Sequence, residues 1–177
     1  MATETLNIDS IDSDWLGASG AATDIDEAIA SADASLYGPG PESDAADFGL
    51  TSTGVVDADT VTAVNITVRL KAGGTAGNEQ CNVYLLIGGV VQGGAVTTGN
   101  LTASFANYGP LNDAGWNSDW TAAQLNLFQI RLTPTQSGMP GTNAVDLDCA
   151  DVVVTYTPAS TGHPRAGVHH IKQMAGT

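Results

Sequence analysis

Thr60-Val-Thr-Ala-Val-Asn-Ile-Thr-Val-Arg-Leu-Lys-Ala72 is the stretch that decides the fold. Within it Val64, Ile66, Val68 and Leu70 alternate with Asn65, Thr67, Arg69 and Lys71. Successive side chains of a strand point to opposite faces, so this period of two predicts a strand with one buried and one wet face. That is how a strand of an antiparallel sheet reads when only one side of the sheet is covered.

The same signal recurs on both sides. Downstream, Cys81, Val83, Leu85 and Ile87 alternate with Gln80, Asn82 and Tyr84. Gly88-Gly89 then turns the chain, and Val90-Val91-Gln92 is expected to pair back as a hairpin. Leu101, Ala103 and Phe105 alternate again and predict a further strand, followed by an irregular segment from Gly109 to Trp120. Thr121-Ala-Ala-Gln124 has the form of a capping box and predicts one helical turn. Phe128, Ile130 and Leu132 mark the next strand.

The last strand carries a conflict. Val145, Leu147 and Cys149 have odd parity, whereas Val152, Val154 and Tyr156 have even parity. One strict period cannot bury both sets on one face, so a bulge is expected near Ala150-Asp151. Both cysteines share parity with apolar neighbours and are expected to point inward, as buried thiols or as a disulfide if they face each other.

Upstream, Phe48 to Ser52 reads as a strand and Gly38-Pro39-Gly40-Pro41 as a break. Thr23 to Ala34 reads as a short helix, capped by Thr23 or Asp24, with Ile25 and Ile29 four apart. Together the elements predict an all-β protein of two packed antiparallel sheets. A jelly roll is favoured over an immunoglobulin-like sandwich, with one short helix and extended terminal arms. The expected organisation is an arm or first strand over 1–14, a β-sandwich over 15–158 and a C-terminal arm over 159–177.

Charge narrows the function. The chain of 177 residues holds 19 Asp+Glu against 5 Lys+Arg, a net charge of -14. Small soluble domains more commonly carry about 2 to 8 charges. Such an excess repels phosphate backbones and anionic lipid, so neither nucleic acid nor membrane is an expected partner. No acid follows Asp151, while Arg165, Lys172, His163, His169 and His170 all lie in the last stretch. Fully extended, that basic tail would reach about 60 Å. The N-terminus has neither a basic stretch nor an apolar core, so no secretory signal is expected.

Catalytic chemistry finds little support. All three histidines lie in the tail, away from any predicted nucleophile. No phosphate loop, dinucleotide fingerprint or zinc spacing occurs. Acid groups at Asp9, Asp12 and Asp14, at Asp24, Asp26 and Glu27, at Asp57 and Asp59, and at Asp146, Asp148 and Asp151 read first as solvated faces. Among these, Asp24, Asp26 and Glu27 would be the first candidates for calcium, although helix capping accounts for them and no metal or other cofactor is expected. Trp116, in a Gly/Asn-rich loop, is expected to be an exposed contact residue. With Arg165, His169, His170 and Lys172 it makes up the expected partner-binding set.

Trp15 with Gly17-Ala18, Asp33-Ala-Ser-Leu-Tyr37, Thr62-Ala-Val-Asn-Ile-Thr-Val-Arg69, Trp120-Thr-Ala-Ala-Gln-Leu-Asn126 and Asp151-Val-Val-Val-Thr-Tyr156 follow one another in this order. That order resembles jelly-roll structural proteins of tailed bacteriophages. The resemblance implies a virion component without catalytic residues. On that basis the expected role is a capsid decoration (cement) subunit that binds the major capsid protein and itself as a homo-oligomer. A tail-fibre or carbohydrate/receptor-binding module is the alternative.

Overall fold

The computed structural model describes residues 1–56, 59–73, 78–136 and 144–159. Among the described residues nine strands carry the body: β1 Ala2–Ser13, β2 Tyr37–Pro41, β3 Ala46–Leu50, β4 Thr60–Ala72, β5 Glu79–Ile87, β6 Val90–Thr97, β7 Ala106–Leu111, β8 Phe128–Gln136 and β9 Ala144–Thr157. One short helix, α1, spans Ala122–Leu125. Of the two readings of residues 1–14, a strand is what the chain forms.

All pairings are antiparallel, and the outermost pairs are nested. β1 pairs with β9, β3 with β8, β4 with β7, and β5 with β6. This is one long hairpin, eight strands deep, with β2 as an addition beside β9. The hairpin is wrapped so that β4 also pairs with β9 and β5 with β8. Two sheets result, β1-β9-β4-β7 and β3-β8-β5-β6, joined because β1 leaves β9 after Asn7 and pairs with β3 from Ile8. Wrapping a long hairpin into two sheets in this order gives the favoured jelly roll.

The decisive stretch behaves as its alternation dictates. Val64, Ile66, Val68 and Leu70 are all fully buried, facing Phe48, Val83, Leu85, Ile130 and Leu132 in one core. Each such side chain removed from water contributes about 1.5–3 kcal/mol before entropy is counted. Gly88 and Gly89 turn β5 into β6 with φ of 55° and 82°. Two successive positive φ values match the twist of a tight hairpin, and glycine adopts them without strain. In α1, Thr121 and Gln124 close the expected capping box.

The Gly38–Pro41 stretch, expected to break the chain, lies in strand β2 instead, and four further expectations are corrected. The helix over Thr23–Ala34 is absent, and two 3-10 turns, Ala22–Asp24 and Ile29–Ser31, stand in its place. Its backbone donors are drawn elsewhere: the Ile29 N–H donates to Asp151 at 3.1 Å, and Asp24 accepts from Ala21 at 2.8 Å. The strand expected at Leu101–Phe105 is a loop, and β7 starts one residue later and runs through Pro110 into the segment expected to be irregular. Phe105 leaves the core pattern because its ring packs beneath Lys71 and Arg69, 4.7 and 5.8 Å from its centroid. Pro110 is tolerated because β7 is a sheet edge, where a missing N–H breaks no ladder.

The third correction concerns the bulge. Arg69 lies opposite Cys149 and Leu70 opposite Leu147, so the extra residue is Asp148, earlier than expected. Cys149 therefore shares a face with Asp151, on the outside of its sheet, while Ala150, Val152 and Val154 line the core. Cys81 remains inside the core, and both thiols are free. The fourth correction, Trp116, belongs with the site residues below.

Candidate functional site

Asp148 is a charged side chain placed in the interior. It lies at the bulge of β9, fully buried, and its Oδ2 accepts from Arg69 Nε at 2.6 Å. Its Oδ1 has no hydrogen-bond partner. Burial of such an atom comes from the long connection between β1 and β2, which crosses the outer face of β9. Ile29 anchors that crossing on Asp151, whose same Oδ1 also accepts from Asn7 Nδ2 at 3.2 Å.

The crossing segment brings Glu27 over the bulge. Glu27 Oε1 is buried and also lacks a partner. One ligand atom from each of Glu27, Asp148 and Cys149 lies within 4.8 Å of the other two. Desolvation raises the pKa of Glu27, and the adjacent Asp148 carboxylate raises it further. The Cys149 thiol is pushed up to about 12, first by burial and then by Asp148 and Glu27. Arg69 is held in turn by Asn107, through a 3.3 Å hydrogen bond. Two acids and a thiol thus converge on a covered spot, with one guanidinium as the adjoining counter-charge.

The acid groups singled out in the sequence are split by the fold. Asp24 caps a turn, Asp26 is exposed, and only Glu27 turns inward. From the C-terminal group, Asp146 pairs with Lys71 at 3.4 Å, Asp148 with Arg69, and Asp151 ties down the crossing segment. Among the described residues every Arg and Lys faces an aspartate, the third being Arg131, whose Nε and Nη2 reach Asp47 at 2.6 and 2.8 Å. Of the remaining described acids Glu79 is buried, and the others are exposed or half-buried.

Asp9 and Asp12 line an open groove of about 310 Å³ with Ser10, Gly49, Leu50, Asn126, Leu127, Phe128 and Gln129. Asp12 is held there by Gln129 Nε2 at 2.5 Å. Next to the groove, Gly88 donates its N–H to the Leu127 carbonyl, which brings the β5–β6 turn alongside. Leu127, Val90 and Val91 are exposed at this end.

Trp116, expected at the surface, is fully buried. It sits in a 3-10 turn, Ala114–Trp116, that folds over the edge strand β6, and its Nε1 donates to the Gln92 carbonyl at 3.0 Å. Burial follows from Asp113, which starts the turn and accepts from both Gly94 and Gly115. An exposed aromatic platform at Trp116 is thereby removed. Arg165, His169, His170 and Lys172 lie outside the described residues.

Fold and site define an all-β, antiparallel, sandwich-like protein with a covered acid–thiol cluster. No helix among the described residues is long and apolar enough to cross a membrane. A scan against protein-family models and a search of curated proteins found nothing that matches this chain.

Proposed function

We propose that this protein is a non-enzymatic virion subunit that decorates a phage head, clamping neighbouring major capsid subunits and associating with further copies of itself. One observation carries this role: Leu127, which lines the Asp9–Asp12 groove, is exposed, as are Val90 and Val91, which follow the Gly88–Gly89 turn at the groove. A contiguous exposed apolar patch rimmed by polar residues marks a surface for a partner. An apolar centre flanked by acid suits a stable contact with a larger assembly, the acid selecting basic neighbours and the apolar groups supplying area.

The resemblance of the order of sequence elements to phage jelly-roll proteins points the same way. So does the separation of charge, with all 19 acids before residue 152 and Arg165, His169, His170 and Lys172 after it. A basic tail from one copy can meet the acidic body of the next.

The test is add-back. Purified protein is mixed with capsids stripped of accessory subunits, and occupancy is measured after sedimentation. Saturable binding is expected, with Leu127→Asp and a chain ending at residue 158 both binding more weakly while keeping a β-rich circular dichroism spectrum. Absence of binding by the intact chain contradicts the role. Equal occupancy by the shortened chain removes the tail from it.

A further inference from the structure

We propose that Glu27, Asp148 and Cys149 form a site for a divalent cation of the zinc class, which staples the β1–β2 connection to strand β9. This goes beyond the decoration role and is read on the isolated chain, so either can fail alone.

Geometry carries it. Three ligand atoms from two distant parts of the chain lie within 4.8 Å of one another. Each of the two carboxylates also has a buried oxygen with no hydrogen-bond partner, Glu27 Oε1 and Asp148 Oδ1. A buried carboxylate oxygen without a partner is costly, and native folds seldom leave one unless something else fills its place. Two carboxylates that each keep such an oxygen, with a thiol in the same cluster, are a donor set in search of positive charge. Arg69 does not supply it at this point, because its Nε already engages the other oxygen of Asp148.

The donors select the ion. Calcium takes six to eight oxygens and magnesium demands an octahedron of them, so neither suits a site with sulfur. Zinc accepts thiolate sulfur and carboxylate oxygen at about 2.0–2.3 Å in a tetrahedron. Three protein ligands would leave the fourth position to water, and partly exposed Glu27 marks the side of entry. Arg69 and Asn107 then act as the outer groups that fix Asp148 in place. Binding converts the Cys149 thiol to thiolate and releases its proton to solvent.

The experiment uses the full chain stripped of metal with a chelator, titrated with zinc by calorimetry and with cobalt(II) by absorbance. Expected are saturable zinc binding, a higher melting temperature with zinc, and a sulfur-to-cobalt charge-transfer band. Cys149→Ser should abolish the band. Cys149→Ser and Glu27→Gln should each weaken zinc binding by at least the roughly 10-fold that loss of an outer group costs. Glu27 lies on a connecting segment, so its variant keeps the test valid should Asp148→Asn fail to fold. Zinc binding with no sulfur band, or unchanged in Cys149→Ser, would place the metal away from Cys149 and overturn the proposal. No binding at all would leave Glu27 and Asp148 sharing a proton, and would overturn it equally.

Discussion

Single residues show how far burial outranks local composition. Trp116 is flanked by Gly115 and Asn117, which mark a surface loop, yet the indole is fully enclosed and hydrogen-bonded to Gln92. Trp116→Ala should therefore destabilise the protein by about 3–5 kcal/mol in urea unfolding, the range for deleting a large buried aromatic. A variant of unchanged stability would put the side chain back at the surface. Asp113 starts the same turn, and hydrogen bonds from Gly94 and Gly115 hold its carboxyl below the usual carboxylate range. A lowered folded-state pKa stabilises above the unfolded value of about 3.9 and stops doing so as pH falls through the folded value. The urea midpoint of Asp113→Ala should thus fall below that of the parent at neutral pH, and the gap should close in acid. A gap that persists at low pH would mean the carboxylate charge is not what anchors the turn. Trp15 is buried as well. Its ring stacks on Tyr37 at 5.4 Å and meets Phe48 edge-on at 5.9 Å. A Cβ at Gly40 would fall 2.4 Å from that ring, so the glycine is there for close approach.

Elements were legible where one face alone is buried. β4 could be read residue by residue because its inner positions are branched aliphatics and its outer ones polar. Ile66→Ala should cost about 2–5 kcal/mol, while Thr67→Ala, one residue along on the outer face, should change stability little. Comparable losses at both positions would show that the strand is not one-sided. β9 was legible only as a conflict of parity. Its run from Val145 to Ala150 is buried on both faces, because the β1–β2 connection covers the outside. The bulge at Asp148 resolves the conflict by turning Cys149 out and Ala150 in, a choice that depends on Arg69 across the ladder. The helix expected over Thr23–Ala34 failed for a related reason: tertiary hydrogen bonds to Asp151 outweigh the helix propensity of alanine. The acid–thiol cluster needs residue 27 to meet residues 148 and 149, and no local pattern carries that contact. The parity conflict at β9 was the available hint.

At the scale of the whole molecule, the nested pairing explains both topology and surface. A long hairpin wrapped on itself leaves β6 and β7 at the edges of the two sheets. The turn holding Trp116 covers part of β6, and Pro110 blunts β7, so the edges are protected against strand addition. The β5–β6 end, with Val90, Val91 and Leu127 exposed, is the contact surface of the proposed role. The acid surplus was legible in composition, but its setting was not, because it depends on Arg69, Lys71 and Arg131 each being matched by an aspartate. The measurement that tests the central claim most directly is the temperature at which stripped capsids rupture, followed as this protein is added. Saturable binding with a rupture temperature that climbs to a plateau at full occupancy is the predicted result. Capsids that rupture at the same temperature with and without the protein would contradict a role in holding the head together.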